Sequence, residues 1–136
     1  MKWERISESR LFDELAEANG DFHLLRSFLS LLPVAATVKD RLGRVLYANQ
    51  AAARMYGRTA PTLVGREIER IISGIDQRTA AEIRRVERKV IEGKPAIMFQ
   101  QLREAPHPIR HSVLKFAFFD SDGDPLLVSL IYPTQL

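Results

Sequence analysis

The sequence predicts an α+β fold, a five-stranded antiparallel sheet with helices between its second and third strands and an amphipathic helix flanking it on the N-terminal side. Three observations lead there. Two pairs of β-like runs close on turn chemistry, Asp40-Arg41-Leu42-Gly43 and Asp120-Ser121-Asp122-Gly123-Asp124, where Asp bonds its own backbone and Gly accepts a positive φ. Helical repeats fill the span between them, from Gln50 to Glu92. The last two strand candidates are apolar at both parities: Ser112, Leu114, Phe116 and Phe118 alternate with Val113, Lys115, Ala117 and Phe119, and Leu127, Ser129 and Ile131 with Leu126, Val128 and Leu130. Both faces of the sheet must therefore be covered.

The elements follow in order. Residues 1–31 read as a helical flank and residues 32–136 as one domain, a division suited to a 136-residue chain. The flank is interrupted at Asn19-Gly20-Asp21, where Asn and Gly end one helix and Asp caps the next. Its second piece carries Phe22, Leu25, Leu29 and Leu32 at helical spacing, widened by Leu24, Phe28 and Leu31. That stripe needs a partner: the outer face of the chain's own sheet, or the same helix of a second subunit.

Strands are predicted at Val34 to Lys39 and Val45 to Ala48, the second followed by Asn49, a helix cap, and by helix formers up to Met55 with a stop at Gly57. Thr59-Ala60-Pro61 opens a helical turn and Arg66 to Ile72 another. Asp76 to Glu92 is the longest helix, with Ile83, Val86 and Val90 inward and Arg84, Arg85, Arg88 and Lys89 mostly outward, stopped by Gly93 and Pro95. Three strands finish the chain, at Ala96 to Leu102, Arg110 to Phe119 and Pro125 to Tyr132. The prolines between residues 103 and 108 keep that loop out of the ladder.

Composition removes several function classes. There is no cysteine, hence no disulfide framework, no thiolate metal site and no Cys nucleophile. No signal peptide or membrane span is visible, so a cytoplasmic protein without membrane contact is expected. The net charge of +3 hides an asymmetry, with six acidic and four basic residues in the first 32 and 16 basic against 11 acidic in the rest. The basic residues form no block with interleaved aromatics, which points to a solvated surface rather than a nucleic-acid face. No phosphate-cradling loop, G-x-S-x-G or H-E-x-x-H occurs, so no enzyme is expected. His107 and His111, flanking Pro108, read as surface residues, and the Asp120 to Asp124 turn lacks the sixth-position Gly and twelfth-position carboxylate of a calcium loop.

Asp40, Gly43, Arg44, Val45, Tyr47, Asn49, Ala51, Ala52, Gly57, Gly65 and Arg66, followed by Val90-Ile91-Glu92-Gly93-Lys94-Pro95 and by Lys115 to Asp120 with Gly123, resemble in order and spacing the PAS domain family. The resemblance spans roughly Leu32 to Tyr132. It implies a sensory module for signal transduction, with a small molecule held between sheet and helices and a flanking helix that packs on the sheet and builds homodimers through Phe22, Leu25, Leu29 and Leu32. The apolar pocket walls would be Met55, Ile68, Ile72, Ile83, Val86, Met98 and Leu114. Gln100, Ser112, Ser129 and the Tyr47 hydroxyl would orient a polar ligand there. A filled core whose polar groups satisfy one another is the alternative, making the domain a ligand-free interaction module.

The family's cofactors can be set against this sequence. Covalent flavin and coumarate adducts need a Cys, which is absent, and the long helix has no His for the usual haem ligation. A small organic ligand, or none, remains. Signalling members often end in Asp-Ile-Thr before a coupling helix, whereas this chain ends Tyr132-Pro133-Thr134-Gln135-Leu136. The expectation is either an output domain in a longer parent protein or signalling through the N-terminal helix.

Overall fold

The computed structural model describes residues 22–71, 75–94, 96–103 and 109–133. Residues 1–21 of the expected flank, residues 72–74, Pro95, the 104–108 loop and residues 134–136 lie outside them. The elements are α1 (Phe22–Ser30), β1 (Ala35–Lys39), β2 (Val45–Ala48), α2 (Gln50–Tyr56), α3 (Ala60–Leu63), α4 (Ile68–Ile71), α5 (Gln77–Ile91), β3 (Ala96–Arg103), β4 (Ile109–Phe119) and β5 (Pro125–Pro133). They build a five-stranded sheet in the order β2-β1-β5-β4-β3, every neighbouring pair antiparallel.

Local chemistry sets the boundaries. Asp40 Oδ1 accepts from Leu42 N and Arg44 N, and Gly43 takes φ 85° to close the first hairpin. Asp120 repeats the device at the second, accepting from Asp122 N and Asp124 N. Asp76 caps α5 by accepting from Thr79 N, and Gly57 ends α2 in the left-handed region. The outer edge of β2 is closed by the segment after α3, since Gly65 N donates to Val45 O and Val45 N to Arg66 O. That removes one open strand edge.

The sheet is covered on both faces, as its two apolar parities require. On one face Leu25 and Leu29 of α1, both fully buried, pack on Ala36, Val38, Leu114, Phe116, Phe118, Leu126, Val128 and Leu130. On the other, Val45, Val113 and Ile131 meet Ala52, Leu63 and Ile68 of the helical layer. The apolar stripe of α1 is thus used by the chain's own sheet. Of the two partners expected for Phe22, Leu25, Leu29 and Leu32, the chain's own sheet is the one seen here, with Phe22 and Leu32 partly buried beside it. Burial of two leucines against an otherwise exposed sheet face is available within one chain. His111, expected at the surface, is also buried, because β4 begins before it and pairs it with Pro133.

Candidate ligand cavity

The sheet face beneath the helical layer carries charges that its apolar neighbours would not suggest. Residues two apart on a strand share a face, so β1 sends Thr37 and Lys39 inward, β4 sends Val113 and Lys115, and β5 sends Ser129 and Ile131. Register brings them together: Ser129 pairs with both Thr37 and Lys115. From above, α4 contributes Ile68 and Glu69, and α5 contributes Ile83 and Glu87.

The four charges form a chain. Lys39 Nζ donates to Glu69 Oε1 at 2.8 Å and to Glu87 Oε2 at 3.0 Å. Lys115 Nζ donates to the same Glu87 oxygen at 2.7 Å and to Ser129 Oγ at 2.9 Å. All four side chains are at least nine-tenths buried. A cavity of about 20 Å³ adjoins them, room for about one water molecule, lined by Thr37, Lys39, Glu69, Lys115 and Ser129 and walled by Ile68, Ile83, Val113 and Ile131. The Thr37 hydroxyl lining it is the one buried side-chain polar atom among the described residues without a hydrogen-bond partner. A buried hydroxyl in that position costs stability until something bonds it.

Burial alone would push the Lys39 ammonium below its ordinary range, but the Glu87 and Glu69 carboxylates outweigh it and raise the group's pKa. For Glu87, burial favours the neutral acid, yet Lys115 and Lys39 together hold the carboxyl below the usual range. Lys115 ends lower than an ordinary lysine, since burial and repulsion from Lys39 exceed what Glu87 returns. The cluster is therefore a balanced ionic network in which Glu87 is the shared centre.

Of the residues expected to line a pocket, Ile68, Ile83 and Ser129 lie on this cavity. Met55 packs in the same layer beside it, Val86 is buried on α5, and Ile72 lies outside the described residues. Tyr47, Met98, Gln100, Ser112 and Leu114 face the other way. Leu114 packs under α1, and the β3–β4 register puts Met98 opposite Leu114 and Gln100 opposite Ser112, both Met98 and Gln100 being exposed. The parity is inverted because both parities of β4 are apolar apart from Lys115, whose charge reads as outward until Glu87 is seen above it. Tyr47 turns to the α1 face because the β1–β2 register skips Leu46, pairing Val38 with Tyr47 and Lys39 with Val45. There the Arg26 guanidinium sits 5.2 Å from its ring centroid.

Sequence reasoning passed over Thr37, Lys39, Glu69, Glu87 and Lys115. A signal existed for two of them. Glu87 falls inside the Ile83, Val86, Val90 stripe, and Lys115 follows Val113 on a strand with no other charge past Arg110. One opposite charge in each of two facing apolar stripes is what a buried pair looks like in sequence.

The joint between this face and α1 is Asn49. Its Oδ1 accepts from Ala36 N at 3.0 Å and Ala52 N at 2.9 Å, while Nδ2 donates to Leu29 O at 3.1 Å and Val34 O at 2.9 Å. Among the described residues no group of three His, Asp or Glu is placed to hold a metal ion, and no helix is long and apolar enough to cross a membrane.

Comparison with known proteins agrees with this architecture. No curated protein matches the sequence significantly. Among solved structures, the chain is similar to the Vibrio cholerae VqmA dimer, a DNA-binding receptor of LuxR type, at 25% identity and TM-score 0.70, over 80% of this chain and 49% of that one. VqmA bound to DPO matches at the same identity and TM-score, over 80% and 55%. The chain thus spans about half the length of the VqmA chains. The PAS domain of Bordetella pertussis BvgS shares the fold at 18% identity and TM-score 0.71, over 87% and 89%. A family profile for the PAS fold matches residues 29–133. With that match over most of its length, and with the sheet order and helical layer described above, the chain belongs to the PAS family of sensory and signalling domains.

Proposed function

We propose that this domain senses a small molecule in the cavity between sheet and helical layer and passes occupancy to α1. The observation that carries the reading is the Thr37 hydroxyl, buried without a partner beside the Lys39–Glu69–Glu87–Lys115 network. A buried hydroxyl beside an enclosed cavity offers a ligand a hydrogen bond to make there. Thr37 adjoins Ala36 on β1, and Ala36 N is held by the Asn49 side chain that also grips Leu29 of α1. A ligand that prefers one position of β1 would therefore shift the packing of α1 by its differential affinity for the two arrangements.

Output would then run through α1, either to a second copy or to an output domain of a longer receptor. For a homodimer the available surface is the outer ridge of α1, where Leu24 is half exposed and Leu31 is 77% exposed. A second reading, a ligand-free assembly module, is favoured by the small size of the cavity. Native mass spectrometry of the purified protein, repeated under denaturing conditions, separates the two. A retained mass lost on denaturation supports the sensor, and bare chains that take up nothing from a metabolite mixture support the assembly module.

A further inference from the structure

Resting on the sensory reading above, we propose that the cavity takes a small monocarboxylate, whose carboxylate replaces Glu69 on Lys39 Nζ and reaches across the adjoining cavity to Thr37 Oγ1. Thr37 and Lys39 stand two apart on one face of β1, and both line the cavity. One offers a hydroxyl hydrogen with no acceptor and the other an ammonium. A carboxylate has two oxygens and only accepts, which matches both at once.

Charge and size point the same way. The network holds two cations and two anions, so an anion that enters as Glu69 leaves keeps the balance, whereas an uncharged group in that seat strips Lys39 of one buried partner. The cavity has room for about one water molecule, so a ligand needs the volume that the Glu69 carboxylate occupies. Glu69 is also the carboxylate able to leave. It sits on the four-residue α4 and bonds one lysine, while Glu87 lies within the 15-residue α5 and bonds both. Outside, the helical layer favours anion approach: between residues 50 and 94 it has ten Lys and Arg, all exposed, against six acids, two of which are the buried Glu69 and Glu87. In the exchange one carboxylate replaces another, with no proton or electron transferred.

The test is an amide NMR titration of the full chain with sodium propionate and, as its uncharged isostere, propionamide. Propionate is expected to shift the amides of Thr37, Lys39 and Ser129 saturably, with propionamide at least about 10-fold weaker. Glu69→Ala removes the internal competitor and should tighten propionate about 10-fold or more, with Glu69→Gln, which keeps the side-chain volume, serving where the alanine chain does not fold. Thr37→Val keeps the shape, removes the orphaned hydroxyl, and should weaken propionate about 5-fold without loss of stability. Equal or tighter binding of propionamide at the same amides would overturn the carboxylate assignment and leave the sensory reading in place, as would unchanged propionate affinity in both Glu69 variants. If neither molecule moves those amides in any of these chains, the monocarboxylate assignment falls, and the sensory reading is decided by the mass-spectrometric experiment above.

Discussion

Asn49 uses its whole side chain, with two acceptances at Oδ1 and two donations from Nδ2, and it is 2% exposed. A helix cap alone needs only the acceptor, and Asp serves there as well as Asn. Here Asp would turn the two donations to Leu29 O and Val34 O into contacts between a carboxylate and two carbonyls. Asn49→Asp is therefore expected to cost about as much as Asn49→Ala, roughly 2–4 kcal/mol in urea unfolding. A harmless Asn49→Asp would reduce the residue to a cap. Glu87 permits a pH test. Its folded pKa lies below the ordinary 4.5, so its stabilisation is complete above the unfolded value and is lost as pH falls through the folded one. Lys39, raised, loses its contribution as pH climbs through its folded value, while Lys115, lowered, acts in the opposite sense between its folded value and 10.5. Both lysines act on the alkaline side, which leaves the acid limb to Glu87. Glu87→Gln should cost about 3–5 kcal/mol near pH 7, and the gap to the parent should close below about pH 4.5. A gap that stays constant down to pH 3 would mean that the fold does not lower the Glu87 carboxyl.

At the scale of elements, α1 is a lid on its own sheet. Leu25 is fully buried, so Leu25→Ala should cost about 2–5 kcal/mol, whereas Leu31→Ala, at 77% exposure, should stay within about 0.5 kcal/mol. Urea unfolding combined with light scattering separates this from an intersubunit role: in that case Leu25→Ala would change the molecular mass and leave a monomer of undiminished stability. The existence of every described element was legible beforehand, because turns and caps are local chemistry. Asp40, Gly43, Asn49, Gly57, Asp76 and Asp120 act within a few residues of themselves, and the structure puts them to those uses. Which face a strand presents is not local. In β4 both parities are apolar and one residue of offset inverts the whole strand, so Ser112 and Leu114 were assigned to the cavity that Val113 and Lys115 occupy. Only the partner above, Glu87 on an element 28 residues away, decides it.

For the whole molecule, the question is why a domain of this size keeps four ionised side chains in its interior. Stability is a poor reason, since taking such charges out of water costs several kcal/mol each and their mutual attraction only roughly restores it. Asn49 already ties α1, β1 and α2 together without any charge, and the two apolar layers are continuous on either side of the sheet. If the network is there for recognition, replacing it entire should be cheap while breaking it singly is not. Lys39→Met, Glu69→Leu, Glu87→Met and Lys115→Met together should leave unfolding free energy equal to the parent's or up to about 4 kcal/mol higher, against a loss of about 3–5 kcal/mol for Lys39→Met or Glu87→Gln alone. The apolar chain should also lose its response to propionate. A combined variant less stable than either single one would show that the network supports the fold itself, and the sensory role would then rest on the Thr37 hydroxyl alone.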